Sequence, residues 1–343
     1  MNFVVRSARR EDLSQLFDLA RQFTLLNLPA EKRLIESKLE KSLASFAGEL
    51  DKDQAEYLFV LEDLETKFIA GSSMILAKSG TRDSANFSFE VLKRERFSRE
   101  LGIGFIHQIL RLKSNTDGPT EVGGLIVDRG YRRRPEKVGR MISLSRFLYI
   151  GLHLDRFEKD LHAEMAPPLT EEGRSEFWES LGRRFTGMPY HEADMLSSTN
   201  NDFIRSLFPE EDIYLCLLDS KARLVLGQVG EETQAAMHLL KKLGFKYKNE
   251  VDPFDGGPHF GCPAKECSLV KNVKKMKWGG EASKGYPLSG LVGVERDSEF
   301  ESVWASFAVK KDKIFFPKKV SEILGLEDGE KVAVTNYQPI DKE

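Results

Sequence analysis

The sequence predicts a mixed α/β (α+β) fold with a β-rich C-terminal part. Three observations carry this expectation. Strand-like and helix-like runs alternate as far as Val251, and a basic turn stands between one such strand and the helix after it. Beyond the turn-rich stretch DPFDGGPHFGCP, the composition changes to short strands with lysine clusters. At 343 residues and 41% hydrophobic content, the chain can fill more than one core.

The elements follow in order. NFVVRSA reads as a strand, and REDLSQLFDLARQF as an amphipathic helix with Leu13, Leu16, Phe17 and Ala20 on one face. A second helix fits AEKRLIESKLEKSLASFAGEL, where Leu34, Ile35, Leu39, Leu43 and Phe46 recur at helical spacing. EYLFVLED and KFIAGSSMILAK form a hairpin joined by polar residues from Asp63 to Thr66. TEVGGLIVD is a strand carrying two glycines, and YRRRPEKVGRMISLSRF leads from it into a helix over Val138 to Leu152. LHAEM reads as a short strand, and RSEFWESLGRRFTG as a helix closed by Gly182. TQAAMHLLKKLGFKYKNEVD carries the same Leu-Gly ending into an aromatic strand, an internal echo of FWESLGRRF. This organisation gives a first domain over 1–190 and a second over 191–343, the latter divided into the echo at 191–258 and the β-rich tail at 259–343.

Charge excludes some functions. Lys and Arg total 51 against 54 Asp and Glu, so a net charge of -3 offers no global attraction to nucleic acid or to an anionic membrane. The first apolar run is broken by Arg6, Arg9, Arg10, Glu11 and Asp12, so no signal-peptide core forms there. No later run approaches the roughly 18 residues of a membrane span. Cys216, Cys262 and Cys267 make no even disulfide framework, and a cytoplasmic location is expected. His259, Cys262 and Cys267 are spaced H-x-x-C-x-x-x-x-C, which lacks the paired ligands of a zinc site, so no metal is expected.

The turn after TEVGGLIVD has its own chemistry. A helix N-terminus presents unpaired N–H groups and a partial positive charge, so a loop feeding one can hold a pyrophosphate. Arg132, Arg133, Arg134 and Lys137 add charge, and Gly139 permits close backbone approach. The same residues also fit a solvated basic loop with a capping glycine, and context decides between the two.

That context is a resemblance. The order of elements resembles the acyl-CoA-dependent N-acetyltransferase-like (GNAT-like) fold. FVLED, EVGGLIVD, YRR, SLSRFLYI, AEM, FWESLG, RRF, AD, FI, GQV, LGFKY, VDPFDGGP and the LPAEKRLIESKLE segment follow in order the pattern of the arginine N-succinyltransferase family, closely over about residues 1–260 and loosely in the tail. The resemblance implies transfer of a succinyl group from succinyl-CoA to the α-amine of arginine, the first step of arginine degradation. It also implies that Leu125 stands where the family backbone contacts acyl-CoA, with Val127 on the same strand and the Arg132–Gly139 turn on the pyrophosphate. A small-molecule amine and a homo-oligomer are the expected partners.

Several loops depart from the family pattern. Of two glycines in the strand-to-helix turn only Gly139 is present, and Lys137 takes the first position. The family motif Gly-Gln-Val-His, whose histidine is the general acid, reads Gly227-Gln228-Val229-Gly230. Glu231 and Glu164 are the carboxylates offered as replacements, with His191 and His259 of unassigned placement. The TSLP pattern becomes Leu26-Asn27-Leu28-Pro29, preceded by Gln22, Phe23 and Thr24. Asp252 and Asp255 of the retained VDPFDGGP either contact a guanidinium or cap a rigid turn.

The tail holds weaker signals. VKNVKKMKWGG reads as a lysine-guarded strand edge rather than a nucleic-acid contact. IFFPKKVSEILGLEDGEKVAV resembles the hairpin-helix-hairpin of bacterial transition-state regulators, which bind DNA as interleaved dimers. Its residues equally satisfy a structural role, with Val320, Ile323 and Leu324 on one helix face and Gly329 at the turn. The expectation is therefore an arginine N-succinyltransferase-like enzyme; the alternatives are a degenerate paralogue that binds a ligand or DNA, and an acyltransferase with another acceptor.

Overall fold

Alternation along the early strands determines which helix packs where. The structure is a computed structural model that describes residues 2–23, 28–197, 201–282 and 285–337. It divides into two units, the first built from Met1–Lys78, Thr120–Lys159 and Pro263–Glu343, the second from Ser79–Pro119 and Asp160–Cys262.

In the first unit the strands run in the sheet order Leu288–Arg296, Lys331–Asn336, Lys274–Trp278, Lys313–Phe315, Glu299–Lys310, Phe3–Ser7, Glu56–Asp63, Ile69–Leu76 and Thr120–Val127. Side chains on a strand alternate between faces. On Glu56–Asp63, Leu58 and Val60 join a core with Leu16 and Leu19 of helix Leu13–Ala20 and with Ile35 and Leu39 of helix Lys32–Phe46. Tyr57 and Phe59 pack instead against Tyr149, at ring separations of 5.2 and 5.6 Å. Tyr149 belongs to helix Val138–Leu152, which is buried from Met141 to Ile150. The expected strand, two helices and hairpin are all present.

The β-rich tail closes on itself. Leu288–Arg296 pairs with both Glu299–Lys310 and Lys331–Asn336, and Lys274–Trp278 and Lys313–Phe315 complete the circuit. The helix Lys318–Ile323 buries Val320, Leu324 is buried just beyond it, and Gly329 takes a left-handed φ of 80° at its turn. A barrel closed within one chain favours the structural reading of the tail over an interleaved DNA-binding dimer.

In the second unit the strand order is Asp160–Glu164, Pro258–Pro263, Lys246–Val251, Asn86–Ser98, Ile103–Asn115 and Ile213–Tyr214. Nothing in the sequence reading assigns residues 81–119, and the structure makes most of them a hairpin of two thirteen-residue strands. Only Phe87, Phe89, Ile109 and Leu110 of that hairpin are buried core residues, while Phe97, Ile103, Phe105 and Ile106 are exposed. Phe87, Phe89 and Val91 alternate and, with Leu110 and Leu112 of the partner strand, face the core, and the charged run Lys93 to Arg96 interrupts that alternation. The core of this unit gathers Phe89, Phe177, Trp178, Ile204, Phe208, Val251 and Phe254.

One boundary is corrected. Gly182 does not close a single helix; it opens Gly182–Thr186 after the separate helix Glu176–Ser180, and Gly187 at φ 70° is the terminating residue. Gly182 lies under the indole of Trp178, where an added Cβ would come within 2.3 Å of the ring. Trp178 is itself held by a stack on Phe254 and a hydrogen bond to the Met188 carbonyl. The second Leu-Gly pair behaves as expected, with Gly244 at φ 107° ending helix Gln234–Leu243 before strand Lys246–Val251. Replacing Gly182 by Ala should therefore destabilise the chain by about 1–3 kcal/mol in urea denaturation. Gly187→Ala, which meets no atom within 4 Å, should lose only about 1 kcal/mol through its left-handed backbone.

Candidate active site

The first candidate region lies in the first unit, where strand Thr120–Val127 meets the turn and helix after it. Ser72 pairs with Ile126 and Met74 with Gly123, so Gly124 and Leu125 together stand opposite Ser73. This is a β-bulge, with Gly124 at φ 57°, and it takes the pair out of the regular ladder. Leu125 and Val127 are partly exposed. Arg146, buried in helix Val138–Leu152, donates to the carbonyl of Gly123 at 2.9 Å and to that of Met74 at 3.5 Å, bracing the strands on both sides of the bulge. Burial lowers its pKa to about 9, so it remains a cation at neutral pH.

The basic turn is only partly free for a ligand. Arg132 donates to the Val127 carbonyl and lies 4.5 Å from the Phe23 ring centroid; Arg134 donates to the Gly130 carbonyl and stacks at 3.9 Å on Tyr131. Gln22 reaches the same turn, donating to Asp128 at 2.7 Å. Thus Gln22 and Phe23, which depart from the family pattern, support the turn. Thr24, Leu26 and Asn27 of that altered stretch lie outside the described residues.

Lys137 is the N-cap of helix Val138–Leu152 and sits at φ 52°, ψ 46°. This is a left-handed conformation that favours glycine, and it costs a side-chain-bearing residue about 1–2 kcal/mol. The position the family gives to glycine therefore keeps a glycine-like backbone. Gly139, by contrast, has room: an added Cβ would touch only the Val127 side chain, at 3.4 Å. No acidic residue occupies the first turn of this fifteen-residue helix, which leaves its N-terminal field to an anion.

The second candidate region lies wholly in the second unit, where three remote segments are stitched by main-chain bonds. Met165 N–H donates to Pro258 O at 3.1 Å, Gly230 N–H to Ala166 O at 2.9 Å, and Gly227 N–H to Gly256 O at 2.8 Å. AEM, GQV and DGGP are thus neighbours. Gly230 is buried, and an added Cβ would lie 2.8 Å from the Pro167 carbonyl oxygen. No side chain fits there without moving the 166–167 backbone. Glu231 begins an exposed 3-10 turn, and His191 is exposed on helix Tyr190–Ser197, whereas Glu164 faces buried histidines.

Asp252 and Asp255 do cap their turn. Asp252 Oδ1 accepts from the amides of Phe254 and Asp255, and Asp255 Oδ1 from that of Gly257. They also belong to a group of carboxyls invisible in the sequence. Burial, followed by the negative charges of Asp255 and Glu164, raises the pKa of Asp252; burial and the charges of Glu164 and Asp194 act likewise on Asp255. Burial alone pushes Asp194 up to about 7. Tyr190, raised by burial and by all three aspartates, keeps its proton. Among the described residues no Lys or Arg pairs with Asp194, Asp252 or Asp255.

Glu164 differs. Burial opposes its charge, but His259 and a hydrogen bond from His162 overcome this and hold the carboxylate below its usual range. Burial lowers His259 to about 4, so at neutral pH it is neutral. His162 lies in the strand LHAEM and Asp194 in the Ala193-Asp194 match, but the sequence gave no role to His162, Asp194 or Tyr190.

Comparison with known proteins decides the family. The family model described as arginine N-succinyltransferase beta subunit matches residues 3–269. The chain belongs to the arginine N-succinyltransferase family. Within that family it is 32% identical to the arginine N-succinyltransferase of Shigella boydii serotype 18 (strain CDC 3083-94 / BS512), over 99% of each chain. It is likewise 32% identical to that of Escherichia coli (strain 55989 / EAEC), over 96% of each. The solved structure of arginine/ornithine succinyltransferase subunit AI from Pseudomonas aeruginosa superposes with a TM-score of 0.85 at 26% identity, covering 97% of this chain and 98% of that one. The succinyltransferase fold implied by the motifs is therefore present.

Two outcomes follow for folding. Gly230→His should lower the melting temperature rather than install a working acid, because the 166–167 carbonyls must move. Asp194 holds its proton in the folded state between its unfolded value of 3.8 and about 7, so its contribution to stability is present below that window and falls as pH rises through it. Asp194→Asn should remove this loss, making the variant more stable than the parent at pH 8 by on the order of 1–3 kcal/mol, with little difference at pH 4. Thermal unfolding against pH reads both.

Proposed function

We propose that the protein is an acyl-CoA-dependent succinyltransferase acting on the α-amine of arginine. The observation that carries this reading is the 32% identity to arginine N-succinyltransferases over nearly the full length, and in the second unit no Lys or Arg of the described residues pairs with Asp194, Asp252 or Asp255, two of which cap the retained turn. Carboxyls crowded in a partly buried place repel one another, and a cationic ligand relieves that repulsion. Arginine brings two cations, an α-ammonium and a guanidinium, and carboxylates bind guanidinium with paired charge-assisted bonds. Family membership supports the same substrate.

Acyl-CoA is received in the first unit. The bulge at Gly124–Leu125 offers main-chain groups to the pantetheine arm, with Val127 on the same strand. The N-terminus of helix Val138–Leu152 receives the pyrophosphate, with Arg132, Arg133, Arg134 and Lys137 supplying positive charge around it. In the reaction the α-amine nitrogen attacks the thioester carbonyl carbon, an amide C–N bond forms, the C–S bond breaks, and CoA leaves as thiolate. The ammonium must first lose a proton and the thiolate must gain one. With glycine at position 230, a carboxyl titrating near neutrality is the group suited to exchange that proton. Glu164 is held too acidic for that exchange, and Glu231 lies exposed on its turn.

The reading is tested by calorimetric titration with succinyl-CoA, then by thiol release on adding arginine. Binding with arginine-dependent release is expected. Binding without release over a panel of amines would instead leave a non-catalytic paralogue and overturn the reading. Gly139→Val should weaken succinyl-CoA binding at least tenfold without lowering the melting temperature, since its side chain fills space left for the ligand. Asp255→Asn, which can still cap Gly257, should raise the KM for arginine about tenfold or more while succinyl-CoA affinity stays unchanged.

A further inference from the structure

His162 and Glu164 lie two apart on strand Asp160–Glu164 and so project from one face. His259 stands on Pro258–Pro263, the neighbouring strand in the sheet. Pairing those strands brings one donor atom from each of the three side chains within 4.8 Å of the others. Glu164 Oε1 is 3.3 Å from His162 Nε2 and 3.6 Å from His259 Nε2, and the two imidazoles meet edge to face at 4.7 Å. His259 is only 1% exposed, and its Nε2 has no hydrogen-bond partner. A buried polar atom aimed at a carboxylate, yet unbonded, asks for a partner between them.

We propose that His162, Glu164 and His259 form a binding site for one divalent first-row transition-metal ion. Two imidazole nitrogens and one carboxylate oxygen suit zinc, cobalt or iron in the divalent state and leave coordination positions open. Metal–ligand bonds of about 2.1 Å at tetrahedral to octahedral angles separate donors by about 3.0–3.4 Å, close to the 3.3 and 3.6 Å between Glu164 Oε1 and the two histidine nitrogens. The ligands sit on paired strands, which makes the site stiff. Behind His259, Nδ1 lies 4.0 Å from Glu250 Oε2, and Glu250 is held by Lys113 at 2.6 Å and Lys248 at 3.4 Å. A carboxylate on the far side of a ligating imidazole is a common second partner. The Glu164 side chain is 33% exposed, giving an ion its way in. A bound cation would also offset the charge that Glu164 places on Asp252 and Asp255. The spacing of His259 with Cys262 and Cys267 drew attention to the wrong partners: the residues that converge on His259 come from another strand.

The test uses the full chain, stripped with a chelator and titrated with zinc by calorimetry and with cobalt by visible absorption, without succinyl-CoA or arginine. The expected result is one ion per chain at a Kd below about 10 µM, a cobalt d–d band, and at least tenfold weaker binding in Glu164→Gln and His259→Gln. Glu164→Gln alters a partly exposed group and keeps the proposal testable if the buried His259 variant does not fold. Absence of saturable binding in the parent protein, or binding unchanged in Glu164→Gln, overturns the site. Since neither substrate is present, that failure leaves the acyl-transfer reading untouched, and failure of acyl transfer leaves metal binding to be judged by itself.

Discussion

The junction of strand Thr120–Val127 with the helix that follows depends on one buried cation, Arg146. Arg146 reaches from helix Val138–Leu152 to the carbonyls of Gly123 and Met74, so one guanidinium ties the helix to two strands beside the bulge. It also donates to the carbonyl and hydroxyl of Ser143, keeping the side chain folded along its own helix. A guanidinium has five donors in a planar fork, and here they serve main-chain acceptors that the interrupted ladder leaves open. The bulge, the direction of the strand end and the start of the next helix then follow from one another. Lys137 is held left-handed where strand, turn and helix must join, even though lysine disfavours that conformation.

The second unit is organised by the absence of side chains. Gly256 packs against Phe177, Gly257 approaches the Met165 carbonyl, and Gly230 approaches that of Pro167, each too closely for an added Cβ to be free of neighbours. These contacts let three loops lie side by side, and in doing so they crowd carboxyls. Asp252 and Asp255 each have one oxygen committed to the turn amides, so the turn and the charge are inseparable. The carboxyls are therefore built into the backbone arrangement, and the two proposed cationic ligands lie beside them. One cation is the substrate in the proposed reaction; the proposed metal ion at Glu164 is another.

The loss of the family histidine has a steric side. With Gly230 N–H bonded to Ala166 and Thr233 Oγ1 bonded to the same carbonyl, the 230–233 turn lies flat against the 166–167 chain. A side chain at 230 would have to displace it. Histidines do occur nearby, at 162 and 259, but both are buried, His162 hydrogen-bonded to Glu164 and His259 3.6 Å from it. Imidazole near this carboxylate is thus a feature of the chain, in a position that suits holding a ligand better than delivering a proton to solvent-facing substrate.

Apolar spacing located the helices Leu13–Ala20 and Lys32–Phe46, each with one buried face, and apolar runs located helix Val138–Leu152 and the hairpin Glu56–Asp63 with Ile69–Leu76, which are buried on both faces. Ordered motifs identified the family, and the glycine-to-lysine and histidine-to-glycine departures were legible in the same way. The hairpin of residues 86–115 escaped because its apolar alternation is short and followed by the charged run Lys93 to Arg96, and Gly182 was misread because its reason is a ring four residues back, under which only hydrogen fits. Local sequence fixes what a residue can do within its own element; it does not say which distant elements will be adjacent. Asp194 beside Asp255, and His162 and Glu164 beside His259, were decided by strand pairing and loop packing across long separations, and only the tertiary structure contains that information.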